Sequence, residues 1–368
     1  MSSNFDLYYV HLYNDFSGSP RVLRDAIDTG VNSPRSTYII TSKHKGFLDN
    51  ANANRINNFY ARSNSRYIQL IYFLISQISL FIKLFMYLFL GFLQGRKSTV
   101  IINTMLPFGA VLASKIMRAK TVCYVHETHI KPELLKKFLR FFINNCANHV
   151  IFVSKYLQSV ESFSKPNQTV IYNGLRGDFF HVEKYDIYSK FFEKKLFFAG
   201  SLKLYKGIEQ LLDLASLLPE FRVIAAINCD ESELSKFINK RVIPENVELI
   251  SRPTNIQYYF QSSFAVLNLS LPDGWIETFG LSLIEGMAFG SPVVGPPIGG
   301  PAEYINNKNG LLIDSREKHK IADFIRYLNS SKDVWKSFSD NALESSHQFT
   351  SSEYKKSFED YLNQHKLI

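Results

Sequence analysis

The sequence predicts an α/β fold made of two successive Rossmann-like domains. Three observations carry this. Short apolar runs of strand type alternate with stretches of helical spacing, the first unit reads strand, glycine loop, helix, and the whole pattern starts afresh near residue 195. A length of 368 residues suits two domains of ordinary size. A content of 46% hydrophobic and 20% charged residues is globular rather than disordered.

Taken in order, residues 6–13 form an apolar run that reads as a buried strand. Residues 14–20 are a turn-rich loop, and 21–27 have helical spacing. Further strand-like runs lie at 36–41, 98–103, 120–126 and 149–154, mostly separated by helical stretches, which favours a parallel sheet with helices on both faces. Residues 195–200 open the second set with a strand ending in glycine. An amphipathic helix follows at 207–218, and strands continue at 221–228, 247–250, 264–269, 292–295 and 310–313. Apolar periodicity weakens between Asn173 and Glu193, so residues 1–175 are expected to form the first domain and 176–350 the second. The tail from Ser331 is helical and well charged, and 351–368 is expected to return to the first domain.

Residues 67–94 are nearly all apolar, with Lys83 the only charge. On a helix, Gln69, Ser76 and Lys83 recur every seven residues, Gln94 falls on the same side, and Gln77 and Ser79 flank the line. One polar stripe and a broad apolar remainder result. Length alone allows a membrane span, but Lys83 sits in the middle and the flanking segments belong to one continuous domain. Two readings fit: a helix buried in that domain, or one partly buried and otherwise docked on a membrane surface. The weakly charged outer face, the flanking Arg62, Arg66, Arg96 and Lys97, and a second basic, apolar stretch at 133–142 favour docking.

The net charge of +9 is unevenly spread: residues 1–180 hold 21 Lys/Arg against 9 Asp/Glu, and 181–368 hold 21 against 24. A basic first half predicts an anionic membrane, an anionic lipid carrier or nucleic acid as partner, or simply a solvated basic surface. Nucleic acid requires basic residues interleaved with exposed aromatics, whereas the aromatics here sit mostly in apolar runs, so none is expected. Cys123, Cys146 and Cys229 are too widely spaced for a metal pair or a disulfide framework, which fits a reducing, cytoplasmic setting. Residues 1–13 lack the pattern of a signal peptide.

The chemistry concentrates in residues 275–294, WIETFGLSLIEGMAFGSPVV. Glu277 falls on a loop, helical spacing follows with Glu285 about two turns in, and Gly290 is placed to end the helix before a new strand. Free amides and the dipole at a helix start attract phosphate, and Gly280 lets a ligand approach the main chain. A carboxylate before the helix can accept from sugar hydroxyls, and one further along can hold a ribose diol. Carboxylate spacing alone would equally describe a solvated amphipathic helix.

This segment resembles the Glu-x7-Glu motif of the family 4 retaining glycosyltransferases, also called glycosyl transferases group 1, and the resemblance covers most of the chain. It implies the GT-B fold, two Rossmann-like domains facing a central cleft, and transfer of a sugar from a nucleoside-diphosphate sugar with retention at the anomeric carbon. By the resemblance Glu277 contacts the donor sugar and Glu285 the ribose. The amides around Phe279, Gly280 and Leu281, with Thr278 beside them, face the sugar and diphosphate. Residues 298–303 and 309–312 also resemble the family. Residues 200–207, GSLKLYKG, are similar to a family segment that usually begins Gly-Arg and ends Lys-Gly. Lys206 matches the lysine that neutralises the diphosphate as the leaving group builds charge. Ser201 stands in place of the usual arginine, and Lys206, Lys203 or Arg252 would have to make good the lost cation.

In the first half, Ser17-Gly18-Ser19 resembles the glycine loop that closes over the donor phosphates and acceptor, with one glycine where two are common. His126 stands at a strand end where the family often has a histidine that hydrogen-bonds the donor sugar, with Glu127 and His129 as alternates. Ser154 and Asn173-Gly174 match landmarks read as turn and hinge residues. The resemblance implies a same-face reaction in which the leaving phosphate helps to deprotonate the acceptor, with no protein nucleophile, cofactor or metal. No Asp-x-Asp pair stands in a metal-binding position. Domain closure about the Asn173 region is expected to exclude water. Expected partners are a nucleotide sugar and a glycan acceptor. By analogy the acceptor is lipid-linked, as in bacterial surface polysaccharide assembly (O-antigen, capsule or similar), with a membrane surface under the N-terminal domain. The expected location is cytoplasmic, peripheral at the inner face of the cell membrane. A nicotinamide dehydrogenase needs Gly-x-Gly-x-x-Gly after a strand, and neither half has one. A non-catalytic membrane-associated partner that kept the fold stays open through Ser201, against the weight of Glu277, Glu285 and Lys206.

Overall fold

The computed structural model describes residues 5–31, 33, 36–175 and 186–368. The chain divides into two compact units, Met1–Gly174 with Ser352–Ile368, and Leu175–Ser351. The expected boundaries lie one residue away from these. Part of the stretch of weak periodicity, 176–185, lies outside the described residues, as do the first four residues of the N-terminal segment.

In the first unit, β1 (Phe5–Val10), β2 (Thr37–Ser42), β3 (Asn54–Asn58), β4 (Lys97–Asn103), β5 (Lys120–Val125), β6 (His149–Phe152) and β7 (Asn167–Val170) form a sheet in the order β3-β2-β1-β4-β5-β6-β7. Every pair is parallel. Strands β1, β4, β5 and β6 are buried along almost their whole length because helices cover both faces. The two outermost strands, NRINN and NQTV, were not expected. Edge strands gain little from apolar side chains, so neither carries an apolar signal. Helix Ser351–Gln364 completes this unit, burying Tyr354, Phe358, Tyr361 and Leu362. Thr99 Oγ1 donates to the Leu367 carbonyl at 2.5 Å, and His149 Nδ1 meets Tyr361 Oη at 2.9 Å.

In the second unit, β8 (Lys195–Gly200), β9 (Arg222–Ile227), β10 (Val247–Ser251), β11 (Ala265–Leu267), β12 (Val293–Gly295) and β13 (Gly310–Leu312) form a parallel sheet ordered β10-β9-β8-β11-β12-β13. Its core includes Trp335, fully buried, whose indole donates to the Phe264 carbonyl at 2.9 Å. In both sheets the strand order turns back once, between β1 and β4 and between β8 and β11. Loops leaving the carboxyl ends of those strand pairs diverge there and leave room for a ligand.

The helix Arg66–Leu93 connects β3 to β4 and is apolar on both its inward and outward faces. Its polar stripe faces the protein. Gln77 Oε1 accepts the Gly109 amide at 3.0 Å, Asn58 Nδ2 donates to the Ser76 carbonyl at 3.2 Å, and Lys83 Nζ donates to the Asn57 carbonyl at 2.5 Å. Phe73, Leu80, Leu84 and Leu88 are buried beside that stripe, and the remaining apolar side chains face outward, with Tyr67 84%, Ile78 61% and Phe92 66% exposed. Among the described residues this is the one helix long and apolar enough to cross a membrane, yet contacts along its length tie it to one sheet as a crossover helix.

Candidate functional site

The second unit's switch point gathers charge. After β8 the chain makes a tight turn, Leu204–Lys206, that ends at Gly207 with φ of +85°. A Cβ on Gly207 would lie 2.1 Å from the Leu269 carbonyl oxygen, so only glycine lets this turn press against the loop after β11. Across that contact, Lys206 Nζ meets Glu277 Oε2 at 2.8 Å. Asn268, the first residue past β11, donates to the same oxygen at 3.3 Å. The Gly280 amide also hydrogen-bonds the Glu277 carboxylate. Burial acts to raise the Glu277 pKa, but the Lys206 ammonium and these hydrogen bonds outweigh it and hold the group below the usual glutamate value. Trp275 stacks on Tyr205 at 5.5 Å between centroids, and Lys206 Nζ sits 5.3 Å from the Trp275 ring.

Gly280 caps the helix Leu281–Ala288 in the left-handed region, and Tyr304 Oη reaches both the Phe279 and Gly280 carbonyls, at 2.7 and 3.1 Å. The motif at 298–303 has a mechanical role. The Gly300 amide donates to the Glu277 carbonyl at 2.9 Å, and a Cβ on Gly299 or Gly300 would collide with the backbone of Glu277 or Thr278. This support fixes the loop that carries the carboxylate. The helix ends in a Schellman motif: Ser291 N–H reaches the Gly286 carbonyl at 3.0 Å and Gly290 N–H the Met287 carbonyl at 2.8 Å, with Gly290 at φ +70°.

Glu285 needs a correction. The helix begins at Leu281, so Glu285 is its fifth residue, about one turn in rather than two, and it is buried. The side chain of Phe279 packs inward against Tyr304 and Phe349, so Phe279 offers the site only backbone. The expected Gly280 amide is already engaged by Glu277. Ser201 directly follows β8. Arg252 follows β10, where its Nε donates to Asn228 Oδ1 at 2.9 Å and its amide to the Ile227 carbonyl at 3.0 Å. Ser201 and Arg252 thus share the carboxyl edge of the sheet, and Lys203 lies over the Tyr205 ring.

The first unit's switch point is neutral. His126, just past β5, places Nε2 2.7 Å from Asn103 Oδ1. Asn103 ends β4, and its Nδ2 lies 3.0 Å from both His11 Nδ1 and the Ser19 carbonyl. The Ser19 carbonyl can only accept, so the amide nitrogen must face it and the amide oxygen must face His126. His126 therefore carries its proton on Nε2, and its Nδ1 is an acceptor. Burial pushes His126 down to about 3 and His11 down to about 4, so both rings are neutral at ordinary pH. Glu127 accepts the Met105 and His126 amides at 3.0 and 3.1 Å, yet burial still pushes it up to about 7. Gly18 is the first residue of the helix Gly18–Asp28, and a Cβ there would meet nothing within 4 Å. Asn103 thus joins the Gly18 loop to His126 through Ser19. His129 is exposed, and Ser154 caps the helix Lys155–Glu161 by accepting the Leu157 amide at 3.1 Å. Sequence reasoning missed Asn103, His11 and Asn268. All three stand at or just past the carboxyl end of a switch-point strand, which was the available signal. Among the described residues no three His, Cys, Asp or Glu side chains converge as metal ligands.

Residues 185–345 match the family model described as Glycosyl transferases group 1. An uncharacterised glycosyltransferase of Methanocaldococcus jannaschii is 26% identical over 258 residues, 66% of this chain and 67% of that one. Sucrose-phosphate synthase of Spinacia oleracea is 40% identical over 85 residues, 23% of this chain, and the match spans only 8% of that protein's length. The solved structure of Anabaena HepE in complex with UDP and glucose superposes with a TM-score of 0.77 at 18% identity, covering 97% of this chain and 99% of that one. Sucrose-phosphate synthase of Thermosynechococcus elongatus gives 0.74 at 14% identity. The architecture is that of the GT-B glycosyltransferase structures.

Proposed function

We propose, from the premise that this chain carries a glycosyl transferases group 1 domain on a GT-B fold, that it transfers a sugar from a nucleoside-diphosphate sugar to a glycan acceptor with retention of anomeric configuration. The observation that carries the reading is the Lys206–Glu277 pair at the switch point of the second sheet, beside a helix start. In the reading, the diphosphate takes Lys206 as its cation together with the leading amides of the helix Leu281–Ala288, and Glu277 turns to the sugar hydroxyls. Glu285 serves the ribose. Lys206 neutralises the charge that builds on the leaving phosphate, so the reading needs no metal or cofactor. Arg252 and Lys203 are the candidates to replace the cation lost at Ser201. In the first unit, His126 is assigned to a sugar hydroxyl and Gly18 to close backbone approach. The HepE structures hold UDP and UDP-glucose, which makes uridine nucleotides the first donors to test.

The acceptor in this reading is lipid-linked, as in the assembly of bacterial surface polysaccharide. The chain works in the cytoplasm at the inner face of the cell membrane, with the outward face of the helix Arg66–Leu93 on the bilayer. That face supports the reading because a row of exposed isoleucine, leucine and phenylalanine side chains is costly in water and favourable at a lipid interface. The test is a panel of nucleotide sugars, read first by thermal stabilisation and then by donor hydrolysis and transfer. At least one donor should stabilise the protein and be turned over, and Glu285→Ala should weaken both. A Glu285→Ala variant that binds and turns over donor normally would remove this site. Donor binding without turnover would instead support a non-catalytic, membrane-associated role.

A further inference from the structure

We propose that a basic cavity beside the helix Arg66–Leu93 holds the phosphate of a lipid headgroup, presented by the bilayer on which that helix lies. The inference rests on the membrane-surface reading above and names what that surface recognises.

The cavity measures about 310 Å³, at the lower end of the range for small-molecule sites, and its wall includes Lys43, His44, Asn57, Phe59, Tyr60 and Lys83. Two lysines and a histidine converge there, and no carboxylate lines the wall. Lys83 is the single charge of its helix. The Asn57 carbonyl takes one of its three ammonium hydrogens, leaving two to give. The loop bearing Lys43 and His44 is held in place by the fully buried Asn14. Its amide donates to the His44 carbonyl at 2.8 Å and accepts the Leu48 amide at 3.1 Å. The nearby acids are already engaged: Asp49 by Arg55 at 2.9 Å and by Asn14, and Asp15 by Arg62 at 3.8 Å. The cationic wall is therefore not neutralised from next door.

Two further facts make the phosphate a lipid's. From Asn50 to Lys97 the chain carries six Lys/Arg and no Asp or Glu, a one-signed stretch complementary to an anionic surface. The cavity also adjoins the outward apolar face. Residues 57–60 lead into that helix, and the Phe59 ring packs edge-on against Tyr72 at 6.1 Å. The neighbouring helix Glu133–Cys146 adds Leu134, 78% exposed, and Phe141, and its Phe138 and Phe142 pack on Phe108, which in turn meets Phe73 of the long helix. A lipid whose chains meet this face brings its phosphate to the level of Lys83, which reaches from the helix side as snorkelling lysines do.

The experiment is vesicle co-sedimentation of the full chain with phosphatidylcholine alone and with added phosphatidylglycerol, each with and without excess soluble glycerol phosphate. Wild-type protein should bind phosphatidylcholine through its apolar face and bind more tightly when phosphatidylglycerol is present. Lys43→Gln or Lys83→Gln should cut that added tightness about fivefold each, the gain expected of one basic residue at an anionic surface, and leave binding to phosphatidylcholine unchanged. Lys43→Gln lies on the exposed loop and keeps the Lys83–Asn57 bond, so it reports even if the Lys83 variant folds poorly. Lys115→Gln, an exposed lysine at the far end of the helix Phe108–Ile116, should keep the full gain. If Lys115→Gln loses as much as Lys43→Gln, the cavity is no site and only diffuse charge acts, while the membrane reading stands. If soluble glycerol phosphate stabilises the protein but vesicles show no preference, the ligand is a free phosphate ester and the lipid assignment falls. If wild type binds no vesicle at all, the membrane reading itself fails and takes this inference with it.

Discussion

The two sheets reverse strand order at the same place and fill it with opposite electrostatics. In the second unit the carboxylate at the switch point, Glu277, is held below its ordinary pKa by Lys206 despite burial. In the first unit the carboxylate just past β5, Glu127, is pushed up to about 7 by burial even though backbone amides hydrogen-bond to it, and the neighbouring imidazoles are neutral. The fold fixes where a ligand can sit, and a handful of side chains then decide what charge it brings. A lysine facing a helix start suits an anion that gains charge during reaction. A neutral ring held as an acceptor suits a hydroxyl.

The comparison breaks most readily at Lys206. Lys206→Ala should lower kcat by roughly 10²–10³, the scale of losing one aimed charge in a protected site, in initial-rate measurements with the donor found by thermal screening. Glu277→Ala added to it should cost less than it does alone, because the two side chains act as a pair. Full additivity would mean that their contact serves only packing.

Glycines separate the units next. Gly280→Ala places a Cβ 2.7 Å from Tyr304 Oη at a φ of +85°, so it should destabilise the second unit by about 2–4 kcal/mol, seen as a drop of several degrees in Tm. Gly18→Ala meets open space and should leave Tm unchanged while reducing transfer. An unchanged rate in Gly18→Ala would mean that no ligand approaches that backbone.

How far this contrast could be read from residue order differs between the units. The Glu277 loop, Gly280, Lys206 and the restart of the fold at residue 195 were all legible, because each stands in a short local pattern of glycines, charges and a strand end. Glu285 was legible as a residue but misplaced by a turn, since the left-handed cap at Gly280 delays the helix start and no pattern of side chains marks that delay. Asn103 and His11 were invisible because their partners lie on other strands, 23 and 92 residues away from Asn103. The polar edge strands β3 and β7 carry no apolar signal. Which side of the helix Arg66–Leu93 faces inward could not be resolved either, since apolar side chains surround the polar stripe on both sides and the sheet alone selects Phe73, Leu80, Leu84 and Leu88 for burial.

A pH series sharpens the comparison. Glu127 has its folded pKa raised above the unfolded value, so the stability it contributes is present at pH below about 4.5 and is lost as pH rises toward 7. Glu277 has its folded pKa lowered, so its contribution is present above the unfolded value and is lost as pH falls through the folded one. Subtracting the Tm profile of Glu127→Gln from that of wild type should give a difference that declines by a few degrees between pH 4.5 and 7. The same subtraction for Glu277→Gln should give a difference that declines only on acidification. Two curves with the same sign would erase the distinction between the units.

The smallest effect tests the neutral site directly. Asn103 acts on His126 as a positioning residue, since its amide oxygen takes the Nε2 proton only while its nitrogen is occupied by Ser19 and His11. Nitrogen-15 NMR of the histidine rings should show His126 protonated at Nε2 alone in wild type. In Asn103→Asp a carboxylate replaces the amide, and both rings should titrate at higher pH because each now faces an anion. Transfer should fall about tenfold, the scale of one misdirected hydrogen bond. Asn103→Ala should leave the ring in mixed tautomers with a similar loss of rate. A His126 that stays wholly Nε2-protonated in Asn103→Ala would show that the ring is oriented by something else, and the first unit's switch point would then be a packed polar cluster rather than a prepared acceptor.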